Sequence, residues 1–270
     1  MRRKRVILAV CVVLVLTCSG LLLSAVQRTR EAAARTTCQG KLKYLSCAVH
    51  WCSDANEPIT GTIPLPGIPP DRRLSWLVVI LRCAEQQQVY EQFDRSLPAD
   101  AERNRTAADH SLRAFICPSS TGPWSTSAGP VTHYVGVAGV GTDAAELAEG
   151  HPRAGAFGYD RKTRVSRDGY PDGLANSLLL VETAHDTTSW ARGGPGTVRP
   201  FVPDTVPYVG PDRPFGGIHV GRGLWRGPPG GLMNVAMADT SIRTIRGDIE
   251  PAVLEALATV NGREALPADW

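Results

Sequence analysis

Residues 6–26 form a 21-residue stretch that carries no charge, and Arg2, Arg3, Lys4 and Arg5 precede it. No other feature constrains the chain so strongly. A helix rises about 1.5 Å per residue, so this run spans about 30 Å, the thickness of a bilayer's hydrocarbon core. The basic cap fits the positive-inside rule. It predicts a cytoplasmic N-terminus at the inner membrane and export of everything beyond residue 26. A cleaved signal peptide has a shorter apolar core, of about 7–15 residues, and a small-residue cleavage site. Ser24-Ala25-Val26 is a poor site of that kind. Lipidation of Cys18 would want a small residue just before it, where Thr17 stands. An uncleaved single-pass anchor, with the lipid bilayer as its partner, is the expectation.

The cap also explains the charge. The chain carries 29 basic and 26 acidic residues, a net +3. Without Arg2, Arg3, Lys4 and Arg5, 25 basic residues face 26 acidic ones, a balance of −1. A basic nucleic-acid-binding domain is therefore disfavoured.

Residues 27–50 contain no proline and are rich in good helix formers. Cys38, Leu42, Leu45, Val49 and Cys52 recur at spacings of 4, 3, 4 and 3, which is one apolar stripe on a helix. One long helix is predicted over residues 6–53. Its membrane half lies in residues 1–26 and its soluble continuation in residues 27–55. The exported domain then occupies residues 56–270. It opens on a Pro-rich linker over residues 56–73 and a helix over residues 74–93. Strands are predicted at 113–117, 133–137 and 176–182, with a hairpin at 232–238 and 241–245. A last helix covers residues 250–260, with Pro251 in its first turn. Long loops separate these elements at 139–152 and 184–214. The sum is an α+β fold, a long N-terminal helix packed on a mainly antiparallel sheet.

Several short motifs then appear in a fixed order. Leu21-Leu22-Leu23-Ser24-Ala25-Val26-Gln27-Arg28 runs into Arg30-Glu31-Ala32-Ala33-Ala34-Arg35. Cys38 is followed by Lys41-Leu42-Lys43. Ser75-Trp76-Leu77 is followed by Ile80-Leu81 and Glu85-Gln86. Ile116-Cys117-Pro118-Ser119, Tyr134-Val135-Gly136 and Asp172-Gly173 with Asn176-Ser177-Leu178-Leu179 come next. Phe215-Gly216, His219, Asn234 and Ala238-Asp239 close the series. Together these resemble domain of unknown function 1559, a prepilin-like family abundant in planctomycete bacteria with a C-terminal H-x9-D-G signature. The resemblance spans residues 20–260.

The resemblance implies a pseudopilin-like fold, in a family for which no enzymatic activity is established, and no cofactor is expected. It implies a structural, secretion- or assembly-related role outside the cytoplasm. Partners would be further copies of the chain or other pseudopilin-like subunits. It also covers Cys38 and Cys117, as a disulfide or as two small buried hydrophobes. The chain departs from the pattern at both ends. Arg3-Lys4-Arg5-Val6-Ile7-Leu8 offers neither the Gly-Phe processing site nor the glutamate of the family's first helix. His219 and Asp239 are separated by nineteen residues, with an apparent insertion over 221–231. Thr240 replaces the signature glycine, so an altered hairpin turn is expected.

Other chemistry is thinly supported. The six histidines form no H-x-H or H-E-x-x-H pair and the cysteines no paired C-x2-C, so no metal site is expected. No nucleophile elbow or phosphate loop occurs. His219 with Asp239 reads as an acid–base or metal pair, or as a hydrogen bond tying a loop to the hairpin. Cys47 and Cys52 face different sides of the predicted helix. Trp190 and Trp225 sit in predicted loops, where they would pack locally or stack on a ligand. The main reading is a non-enzymatic, membrane-anchored structural protein. The second is an anchored extracytoplasmic module binding a ligand or cell-wall polymer.

Overall fold

The computed structural model describes residues 2–54, 59–120, 122–219 and 228–267. One helix, α1, runs unbroken from Arg2–Asp54. It is the one helix among the described residues long and apolar enough to cross a membrane. Arg3 and Lys4 are exposed at its start, while the side chains of Arg2 and Arg5 lie outside the described set. Between Ile7 and Leu23 the described large apolar side chains stand exposed. Its second half is different. Cys38, Leu42, Leu45, Val49 and Cys52, the predicted stripe, are all buried, and Ala48 is buried beside them.

That stripe lies on a five-stranded sheet. The strands are β1 (Tyr134–Val140), β2 (Leu178–Glu182), β3 (Val198–Phe201), β4 (Leu232–Met237) and β5 (Ile242–Arg246). Their order across the sheet is β3-β1-β2-β4-β5. All neighbouring pairs are antiparallel except β1 and β3. Side chains alternate between faces along a strand. Tyr134, Ala138, Leu180 and Ala236 therefore join the core under α1. Val135, Val137, Val181 and Val235 join a second core under α4 (Pro251–Ala258). The fold is α+β, with a helix on each face of a mixed, mostly antiparallel sheet.

The same parity has a chemical consequence. Glu182 follows Leu180 by two residues and Asn234 precedes Ala236 by two. Both polar side chains are thereby turned toward α1 and are fully buried. Close approach elsewhere needs glycine. Gly139 has φ +112°, and a Cβ there would meet the Arg153 carbonyl oxygen at 2.0 Å, which excludes any larger residue.

Four local expectations change, the first being the loop expected over 184–214, which contains the strand β3. The helix expected over 74–93 is two short ones, α2 (Trp76–Ile80) and α3 (Gln87–Tyr90). Between them Glu85 takes a left-handed φ of 53°, and Cys83 leaves the helix to bond Cys52. The strand expected at 113–117 is a 3-10 turn at Arg113–Phe115. Phe115 packs on Trp190 there, and its carbonyl accepts the His133 N–H. Thr240 adopts the left-handed conformation of a glycine turn, with φ 67°. Lys43 of α1 donates to its carbonyl and its hydroxyl at 2.9 and 2.6 Å.

Candidate functional site

A buried polar cluster sits where α1 meets the sheet. Its members come from five segments of the chain. Glu31 and Cys38 lie on α1, seven residues apart and so on one side of it. Cys117 follows the 3-10 turn, Glu182 ends β2 and Asn234 lies within β4. His219 is held beside β4 by a bridge pairing to Leu232.

His219 is the hub. Its Nδ1 donates to Glu31 Oε1 at 2.7 Å, and its Nε2 lies 3.4 Å from Glu182 Oε2. Glu182 receives the Asn234 backbone N–H at 2.7 Å and the Asn234 Nδ2 at 3.1 Å. Asn234 Oδ1 accepts from Gln39 Nε2 and Thr244 Oγ1. Ser119 Oγ donates to the second oxygen of Glu31 at 3.1 Å. The buried polar atoms thus have partners, as their desolvation demands. Burial by itself would lower the His219 pKa. The hydrogen bonds and charges of Glu182 and Glu31 outweigh it and hold the pKa above its ordinary value. His133 has no such partner. Burial, aided by the Lys41 charge, brings it down to about 4. Its Nδ1 accepts the Cys117 N–H at 3.3 Å.

Cys38 and Cys117 are joined as a disulfide, with Cα atoms 5.4 Å apart. Cys117 Sγ lies 3.7 Å from His219 Nε2. A cleft lined by Arg28, Glu31, Ala32, Arg35, His219 and Leu232 leads to this cluster from solvent.

A family model described as SBP_bac_10, Protein of unknown function (DUF1559), matches residues 27–205. The chain belongs to this family. The match takes in Glu31, Cys38, Cys117 and Glu182, and ends before His219 and Asn234. No curated protein and no solved structure matches the chain.

The structure distributes this family member's other candidate residues differently from expectation. His219 and Asn234 do meet, through Glu182. Asp239 does not join them. It is exposed in the turn after β4, where its Oδ1 accepts from the Ser241 N–H and hydroxyl at 2.8 and 2.5 Å. The His219–Asp239 pair is therefore replaced by Glu31–His219–Glu182. Trp190 is not a ligand-contact residue. It is fully buried, packs edge-on to Phe93 and against Phe115, and donates Nε1–H to the His110 carbonyl at 3.1 Å. Trp225 lies outside the described residues, as does most of the apparent insertion at 221–231.

Sequence reasoning missed Glu31 and Glu182 as partners, and it missed the second disulfide, Cys52–Cys83. One signal for Glu182 was present. It is an acid closing a wholly apolar run, with the same strand parity as Leu180.

Proposed function

We infer that this protein is a non-enzymatic, single-pass anchored component of the cell envelope, with a pseudopilin-like exported domain and a structural or assembly role. The observation that carries this reading is the continuity of α1. Its first half presents apolar side chains outward, and its second half is built into the domain core. Two disulfides bind that second half to the rest of the domain. Disulfides persist in oxidising compartments, which supports export. The four basic residues ahead of the apolar run support a cytoplasmic N-terminus. The reading as a ligand-binding module loses one of its two aromatics, because Trp190 serves the core.

Mass spectrometry of the mature chain tests the anchor. A start at Met1 or Arg2 is expected, and a start near Ala25 overturns it. Cys11 and Cys18 are both exposed on α1. Oxidative crosslinking through them in membranes is expected to give dimers and larger species. Monomer alone removes the assembly role.

A further inference from the structure

Cys38, Cys117, Glu182 and His219 arrive from four separated segments, and all are buried. One ligand atom from each lies within 4.8 Å of every other. We propose that the reduced chain binds one zinc-class divalent cation through the two thiolates, His219 Nε2 and a Glu182 oxygen. The Cys38–Cys117 disulfide is then the oxidised, metal-free state of the same site.

The distances carry the assignment. Zinc bonds measure about 2.3 Å to sulfur and about 2.0–2.1 Å to nitrogen and oxygen. In a tetrahedron these bonds give edges of roughly 3.5 Å for sulfur to nitrogen and roughly 3.4 Å for nitrogen to oxygen. The Cys117 Sγ to His219 Nε2 distance is 3.7 Å, and His219 Nε2 to Glu182 Oε2 is 3.4 Å. Two edges already have the required length. The sulfur–sulfur edge must open to roughly 3.8 Å, which breaking the S–S bond permits.

The surroundings fit as well. A metal-binding imidazole usually donates its other N–H to a carboxylate, which orients the ring. His219 does so toward Glu31, leaving Nε2 beside Cys117 Sγ. Glu182 is fixed in turn by two Asn234 donors. Two thiolates with an imidazole favour zinc-class ions over calcium or magnesium. The cleft between Arg28, Glu31, Ala32 and Arg35 gives the ion its route in.

The redox step uses a dithiol as reductant. Its two S–H bonds break and its own disulfide forms. The Cys38–Cys117 bond breaks, and the two electrons and two protons leave two thiols. The cation then displaces both thiol protons to solvent. Oxidation by a disulfide reverses the sequence and expels the ion.

The full chain in detergent, reduced with dithiothreitol and desalted without oxygen, tests this with cobalt(II) and zinc(II) alone. One equivalent of cobalt with thiolate-to-cobalt absorption is expected, and the oxidised chain should take up none. Zinc-edge X-ray absorption of the wild-type chain should show two sulfurs, one imidazole and one oxygen. Another sulfur count, no imidazole shell, or no cobalt uptake overturns the proposal. These readings use the wild-type chain, so a variant that fails to fold cannot obscure them. His219→Gln should weaken cobalt binding at least tenfold, and unchanged affinity counts equally against the site.

Discussion

Nδ1 of His219 donates to Oε1 of Glu31 across 2.7 Å, joining the segment bridged to β4 to the helix that leads out of the domain. The two residues are 188 positions apart in sequence. Glu31 is a quarter exposed, so solvent screens part of this contact. Glu31→Ala should lower stability by about 1 kcal/mol. The shift in urea midpoint of the oxidised chain measures it.

Glu182 has no such relief. It is fully buried and receives two donors from Asn234. Glu182→Ala leaves those donors and His219 without their acceptor, at a cost of about 3–5 kcal/mol. Glu182→Gln keeps one acceptor oxygen, so its loss should be smaller. Denaturant titrations of both variants should rank them in that order.

The Cys52–Cys83 disulfide closes a span of 31 residues and Cys38–Cys117 one of 79. The chain-entropy view makes each worth about 4 kcal/mol, with the longer loop slightly ahead. Cys52→Ser with Cys83→Ser should lower the unfolding free energy by about that amount. Differential scanning calorimetry reads the loss, and a change below about 1 kcal/mol would contradict a structural role.

Asp143 accepts two hydrogen bonds from Arg153, and they bring its pKa down to about 2. A depressed carboxyl stabilises the fold above its unfolded value and loses that effect as pH falls through the folded value. The contribution of this exposed pair should therefore fade between about pH 4 and pH 2. A carboxyl-carbon NMR titration should place the midpoint near 2. In Arg153→Gln it should rise toward the ordinary 3.8.

Trp190 belongs to an aromatic group with Phe93 and Phe115. Trp190→Ala should cost about 3–5 kcal/mol by opening a cavity. Difference emission between wild type and Trp190→Phe should isolate a blue-shifted component that acrylamide quenches poorly. Ready quenching of that component would contradict the burial.

Periodic features were legible in the chain. The stripe from Cys38 to Cys52, the hairpin after Leu232 and the helix opened by Pro251 each declare themselves through spacing or a stop signal. Elements set by a distant partner were not. The break after Ile80 depends on Cys83 meeting Cys52, and the turn at Phe115 depends on Trp190, 75 residues away. The polar cluster depends on strand parity and on the docking of α1 together. Its residues stand at 31, 182, 219 and 234, so no local motif contains them. Trp190 misled because its surrounding segment is rich in glycine and proline, while its own ring lies in the core.

The 53 residues of α1 rise about 80 Å along one axis, and each turns the chain by about 100°. No break separates the apolar half from the first buried cysteine. The direction in which the sheet faces around that axis is thereby keyed to the direction of each side chain near the N-terminus. Removing one residue between 27 and 30 would swing the whole domain by about 100°, whereas inserting seven there would return it to within about 20° of its bearing. The length of that short stretch is thus an angular setting. It fixes which side of the domain greets whatever packs beside the first turns of the helix.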